Sequence, residues 1–140
     1  MNHFELFAHK VSFDPREYLA STKLKFDRVW YKGEDGNDHP ESSGVAKVLG
    51  DGISLNVFEQ ERVAIEYLIN NSEELKALSK FPGVTTFVLG LQYNVELDES
   101  TIGFCMGPSH RLMRCALEVG IDPTYYVTLE HKCEFNGEDA

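Results

Sequence analysis

Cysteine, basic residues and long apolar runs are all scarce in this sequence. The three cysteines, Cys105, Cys115 and Cys133, are odd in number and occur in a chain of otherwise ordinary composition. The N-terminal segment lacks the basic and apolar regions of a signal peptide, and no apolar run approaches the roughly 20 residues of a membrane helix. We therefore predict a cytoplasmic protein with reduced thiols and no membrane partner.

Basic residues are outnumbered, because 13 lysines and arginines stand against 23 aspartates and glutamates. The formal net charge is -10. A field of that sign repels phosphate backbones, so nucleic acid is not an expected partner. The same field accelerates association with a basic protein. The simpler alternative is that the charge only maintains solubility.

The motifs of common enzyme and cofactor sites are missing. The chain contains no Gly-x-Gly-x-x-Gly, no phosphate-binding loop, no Gly-x-Ser-x-Gly and no His-Glu-x-x-His. Gly50, Asp51 and Gly52 form a pattern typical of a hairpin turn. We predict a protein that is not an enzyme and that binds no cofactor.

The candidate metal ligands are Cys105, His110, Cys115, His131 and Cys133. They lack the close pairs in which zinc ligands usually come. His110 and Cys115 lie five positions apart on one predicted helix, so their side chains diverge by about 140° at ~100° per residue. Cys115 also belongs to the apolar stripe of that helix, which favours a role as a small core residue. No metal site is predicted.

A cysteine nucleophile is the other alternative for this region. The turn at Gly107 and Pro108 can bring Cys105 close to His110, as a thiol and its base require. Nothing around Cys105 resembles a known nucleophile signature. A buried cysteine on a strand is therefore the preferred interpretation.

The best-defined pattern is a strict alternation over residues 84–95. Apolar side chains from Phe87 to Val95 fall at every second position, with more polar ones between them. A period of two over this length is typical of a strand with one buried face. We predict a long, central strand, and its polar face around Gly90 would allow a ligand or another backbone to approach closely.

Weaker patterns predict the remaining elements. Strands are expected at residues 4–11, 24–32, 45–49, 53–57, 101–106 and 125–130. Helices are expected at 15–21 after the cap Asp14, across 59–80 with a break near 70–72, and from the cap Ser109 to Gly120. At the break, Asn71 and Glu74 suggest a new capping box.

This order of elements indicates an α+β fold. We expect a mainly antiparallel sheet with helices packed on one face, strand–helix–strand units at both ends, and a mixed sheet as the alternative. The length favours a single domain over residues 1–140. The composition of residues 34–43 predicts a mobile acidic loop, and that of residues 135–140 predicts a polar C-terminal tail.

The order of several short motifs resembles a known family. The motifs are FDPREYL, WYKG, SSG, LMRCALEVGID and YYV, spread over residues 4–130. Together they resemble a small bacterial family of unknown function, the domain-of-unknown-function family catalogued as 4279. The resemblance implies a small α+β bacterial protein, and it brings no catalytic residues with it.

The leading functional hypothesis is binding of a basic protein through acidic side chains. The concrete version is an immunity-type protein that neutralises a basic toxin domain by opposite charge. The predicted partner-binding residues are Glu34, Asp35, Asp38, Glu41, Asp98 and Glu99. A hydrolase is the weaker explanation of these carboxylates, because catalytic carboxylates need rigid placement that loop tips do not give.

The alternative function is a small-molecule binder or an unrecognised enzyme with a pocket around Trp30, Gln92 and Arg111. The possible ligand face comprises Arg28, Trp30, Gln92, Asn94 and Arg111. Phe26, Arg28 and Trp30 are predicted to share one strand face, and Trp and Arg are frequent in binding hot spots. A core role for Trp30, with Arg28 passing over it, stays open. So does the choice between monomer and homodimer.

Overall fold

The computed structural model describes residues 2–10, 12–34, 41–50, 56–97 and 107–131. The strands are β1 (His3–Lys10), β2 (Arg28–Trp30), β3 (Ser43–Val48), β4 (Thr86–Leu97) and β5 (Asp122–His131). The helices are α1 (Pro15–Leu19), α2 (Val57–Asn70), α3 (Ser72–Ser79) and α4 (His110–Glu118). Within these residues, no helix has the length and apolar character needed to cross a membrane.

The five strands form one mixed sheet in the order β2-β3-β1-β4-β5. β1 runs antiparallel to both β3 and β4, and β2 runs antiparallel to β3. β4 and β5 are parallel, with α4 as the connection that a parallel pair requires. The α+β prediction is confirmed, and the sheet is the mixed alternative.

β4 confirms the alternation that the sequence shows most clearly. Phe87, Leu89, Leu91 and Tyr93 are all buried, and the residues between them are only half-buried. The strand begins and ends two residues later than predicted. It has a hydrogen-bonded neighbour on each side, because β1 and β5 flank it.

The caps of α1 and α4 are confirmed. The Asp14 carboxylate accepts the backbone N–H of Arg16, and the Ser109 hydroxyl accepts that of Leu112. Gly120 follows α4 with φ +84, the left-handed conformation that glycine favours.

The predicted capping box at Asn71 is wrong, although the break itself is confirmed. Asn71 accepts no N–H from α3; its Nδ2 instead donates to the carbonyl of Tyr67 at 2.9 Å. The side chain therefore closes the end of α2 rather than the start of α3. Both choices use the same residue type at the same position, so the spacing to Glu74 did not separate them.

Several predicted boundaries differ from the structure. The second strand has only three residues, and Phe26 does not share the Arg28 face, because its ring packs at 5.9 Å from that of Tyr18 on the helix side. Val57 is helical rather than extended, and Asp122 and Pro123 lie within β5 rather than in a turn. The predicted strand at 101–106, the tail at 135–140 and the rest of the predicted strand at 53–57, apart from Asn56, lie outside the described residues.

The helices cover one face of the sheet and enclose the core between them. Inward-facing side chains of β1 and β4 pack against Leu68 of α2, Leu75 of α3 and Leu112 of α4. α1 adds Tyr18, whose ring meets that of Phe81 at 5.2 Å. The molecule therefore has a helical layer on one side of the sheet and a second sheet face on the other.

Candidate functional site

The face of the sheet opposite the core is called the open face here, because no helix of the described chain packs on it. Strand register places its residues in rows across the sheet. It consists of Arg28, Trp30, Gly44, Ala46, Val48, His3, Glu5, Phe7, His9, Thr86, Val88, Gly90, Gln92, Asn94, Glu96, Asp122, Thr124, Tyr126, Thr128 and Glu130. The predicted polar face of β4 forms part of this surface, between β1 and the edge strand β5.

Small residues on β3 allow long side chains from β2 to lie flat across it. A Cβ on Gly44 would come within 2.3 Å of the Trp30 ring, so the indole rests directly on the Gly44 backbone. Ala46 lies directly opposite Arg28. Over this low surface the Arg28 guanidinium reaches β1, where Nη2 donates to both carboxylate oxygens of Glu5 at 3.0 Å.

Planar groups continue from β2 across the open face to β1. The Arg28 guanidinium lies 5.8 Å from the Trp30 ring centre, within the range of a cation–π contact. The Trp30 and His9 ring centres are 6.3 Å apart, and His9 stacks on Phe7 at 5.8 Å. These contacts restrict the orientations that the four side chains can adopt on the open face.

Gln92 and Asn94 lie on the same face as Arg28 and Trp30, but two other strands lie between the two pairs. β3 and β1 separate the two pairs. Gln92 is opposite His3 on β1 and Tyr126 on β5. The four residues therefore belong to one extended surface and do not line a compact pocket.

Arg111 does not join them. It lies in the first turn of α4, whose Leu112 and Ala116 are buried in the core on the other side of the sheet. The predicted pocket around Trp30, Gln92 and Arg111 is therefore corrected: the crossover helix that carries Arg111 belongs to the helical layer. Sequence distance alone did not indicate on which side of the sheet α4 would pack.

Of the six predicted acidic residues, the two that the structure describes lie at one end of the sheet. Glu34 and Glu41 are exposed at the end where β1 finishes and β4 begins. Asp35, Asp38, Asp98 and Glu99 lie outside the described residues. Ser43, predicted as part of the acidic loop, is instead buried in β3, where its Oγ accepts the Lys32 N–H at 2.7 Å.

The open face is itself acidic. Its carboxylates are Glu5, Glu96, Asp122 and Glu130, and its single guanidinium is Arg28. Four negative charges against one positive charge leave -3 when histidines are neutral. Glu96 and Glu130 are both exposed and directly opposite each other in the register. Like charges in that position repel, and a cation placed between them would relieve the repulsion.

A carboxylate already occupies the N-terminus of α4. Glu61 of α2 accepts the backbone N–H of Ser109 at 2.9 Å and the hydroxyl of Tyr93 at 3.1 Å through the same oxygen. Burial of the phenol, followed by the nearby Glu61 charge, raises the pKa of Tyr93 well above its usual value. The phenol therefore stays neutral near pH 7 and acts as a hydrogen-bond donor. This brace joins α2, α4 and β4, and no sequence motif indicated it.

The cysteine and metal candidates are only partly described. Cys115 is half-buried against the core, and Cys105 and Cys133 lie outside the described residues, as does the side chain of His131. Within the described ranges, no three His, Cys, Asp or Glu side chains cluster as metal ligands would. Cys115 borders a cleft of about 200 Å³ between α2, α3 and α4. That volume is below the roughly 300 Å³ at which ligand pockets usually begin.

No protein-family model matches the chain, and no match was found among curated proteins or among solved structures. The resemblance to the family catalogued as 4279 therefore stays a prediction.

Proposed function

We propose that the protein is a non-enzymatic binding domain that recognises a basic protein by opposite charge. Its concrete form is an immunity-type protein that neutralises a basic toxin domain in the cytoplasm of a bacterium. The exposed Glu34 and Glu41 belong to the predicted binding residues, and the acidic open face adds Glu96 and Glu130.

The observation that carries this proposal is the distribution of charge over the molecule. The chain has a net charge of -10, and its open face has three more negative than positive charges. Glu34 and Glu41 are exposed at one end of the sheet, and Glu96 and Glu130 are exposed near the other end. A basic partner that covers the sheet would meet carboxylates at both ends and between them, which favours rapid and oriented association.

The proposal is tested by capture from a lysate of the organism that encodes the chain, at low and at high salt. We expect retention of one or a few basic proteins at low salt and their release at high salt, because screening weakens exposed charge pairs. Identification by mass spectrometry establishes the charge of what is captured. Failure to retain any basic protein at either salt concentration would count against the proposal.

Charge-reversal variants separate a specific site from general acidity. Glu96→Lys with Glu130→Lys changes the open face, and Glu17→Lys with Glu118→Lys changes the helical layer by the same net charge. All four side chains are exposed, so folding should be little affected. We expect only the first pair to abolish capture. Equal loss in both pairs would indicate a response to net charge alone.

A further inference from the structure

We propose that the open face is the docking surface for the basic partner, with Trp30 and Tyr126 as its main contacts. This inference rests on the proposed function and adds where and how the partner binds. Binding is assigned to the open face, whereas the sequence predicts binding residues in acidic loops.

The size of the face fits one protein partner. The five strands have between three and twelve residues and contain 39 in total. At ~3.3 Å per residue along a strand and ~4.8 Å between strands, the projected area is about 620 Å². Side-chain relief increases it, and a standard interface buries about 800 Å² on each partner. A small ligand would leave most of this surface exposed.

The side chains of the face are those that interfaces favour. Trp, Tyr and Arg are the residue types enriched among binding hot spots. Trp30 rests on Gly44, and Arg28 is held by Glu5. Because these two side chains are already ordered, they lose little conformational freedom on binding. Tyr126 is 56% exposed and lies beside Gln92, at the β5 side of the face.

Charge decides between the possible occupants. Two copies of the chain, each with a net charge of -10, would repel each other, and Glu96 and Glu130 of both copies would lie in the contact. A nucleic acid would be repelled for the same reason. A basic protein supplies the opposite charge, and its Lys or Arg side chains can pair with these carboxylates and stack on the aromatic rings.

Two neighbouring tyrosines on β5 provide the matched test. Tyr126 points to the open face and is 56% exposed, and Tyr125 points to the opposite side and is 49% exposed. The probe is the basic protein recovered in the capture experiment. We expect Tyr126→Lys to weaken its binding at least tenfold, and Tyr125→Lys to leave it within twofold. A thermal melt checks that both variants are folded.

Hydroxyl-radical footprinting of the wild-type protein tests the same surface without any substitution. On addition of the captured protein, oxidation of Trp30 and Tyr126 should fall, and oxidation of Tyr125 and Met113 should stay unchanged. Protection confined to Tyr125 or Met113, or equal effects of the two tyrosine variants, overturns the docking surface and leaves the proposed function intact. Light scattering that shows a dimer disrupted by Tyr126→Lys overturns it in favour of a second copy. If no basic protein is captured, both proposals fall together.

Discussion

Gly44 determines how the Trp30 side chain lies on the open face, and no sequence motif indicates this role. Without a side chain at this position, the Trp30 indole can lie against the β3 backbone and contact His9 on the next strand. Gly90 is also on the open face, but there an added Cβ would meet its nearest neighbours at an ordinary 3.6 Å. The two strand glycines therefore have different roles, although both look alike in the sequence.

We predict that Gly44→Ala destabilises the protein by about 1–3 kcal/mol, because the new methyl group displaces the Trp30 ring and also crowds the Ala8 carbonyl oxygen and the His9 Cβ of β1, both at 2.7 Å. Gly90→Ala, the matched control, should change the free energy of unfolding by no more than about 1 kcal/mol. Urea denaturation followed by tryptophan fluorescence measures both, since Trp30 is the only tryptophan. Equal effects of the two substitutions would show that the contact at Gly44 is unimportant.

Tyr93 and Tyr67 differ in whether the side-chain hydroxyl has a hydrogen-bond partner. The Tyr93 hydroxyl donates to Glu61, and the buried Tyr67 hydroxyl has no hydrogen-bond partner within the described chain. Tyr93→Phe should therefore cost about 1–2 kcal/mol at pH 7, and Tyr67→Phe should be neutral or slightly stabilising. Chemical denaturation of the two variants under identical conditions makes the comparison. A larger loss in Tyr67→Phe would contradict it.

Tyr67 also predicts a loss of stability at alkaline pH. Burial raises the pKa of Tyr67 from 10.0 to about 12, so the folded state holds its proton more tightly than the unfolded state does. The stabilisation is complete below pH 10 and is lost as pH rises from 10 to about 12. We expect a decline on the order of 2 kcal/mol across that window, reduced in Tyr67→Phe. An unchanged alkaline profile in the variant would refute this assignment.

At the scale of secondary structure, α4 is the element on which the parallel part of the sheet depends. It connects β4 to β5, buries Leu112 and Ala116, and begins at the Ser109 cap beside Glu61. An N-cap hydroxyl satisfies a backbone N–H that otherwise has no partner in the helix.

Ser109→Ala should therefore destabilise the fold by about 1 kcal/mol. It should also speed amide hydrogen exchange in β5 and α4 more than in β1 and β3. The control is Ser72→Ala at the start of α3, where the serine provides no cap; its effect should stay within about 0.5 kcal/mol. Uniform exchange throughout the sheet would show that α4 and β5 do not form a local unit.

The sequence predicted the elements whose signals are local. The alternation in β4 and the caps Asp14 and Ser109 each depend on a few neighbouring residues, and all three are confirmed. Phe26 and Asn71 were placed incorrectly, because their roles depend on contacts with α1 and α2 that spacing does not encode.

The sequence predicted only part of the open face, because residue spacing does not encode tertiary contacts. Arg28, Trp30, Gln92 and Asn94 are all on it, but the pairing of β2 with β3, and of β3 with β1, is what orders them. Arg111 was grouped with them and lies in the helical layer. Which side of a sheet a crossover helix covers is a tertiary property that the residues around Arg111 do not reveal.

At the scale of the whole molecule, one sheet separates two different surfaces. The helical layer encloses the core, and the open face carries aromatic rings, one bound arginine and an excess of carboxylates. The exposed Glu34 and Glu41 lie at one end of the sheet, and the exposed Glu96 and Glu130 lie near the other. We propose that the helical side provides stability and that the open face provides recognition.

Recognition by opposite charge is tested by the salt dependence of association with the captured basic protein. Stopped-flow measurements between about 20 mM and about 500 mM salt give the association rate constant, which electrostatic steering controls more strongly than dissociation. We expect a fall of at least tenfold across that range for the wild type and a much smaller fall for Glu96→Lys with Glu130→Lys. An association rate constant that stays within twofold at all salt concentrations would contradict recognition by opposite charge.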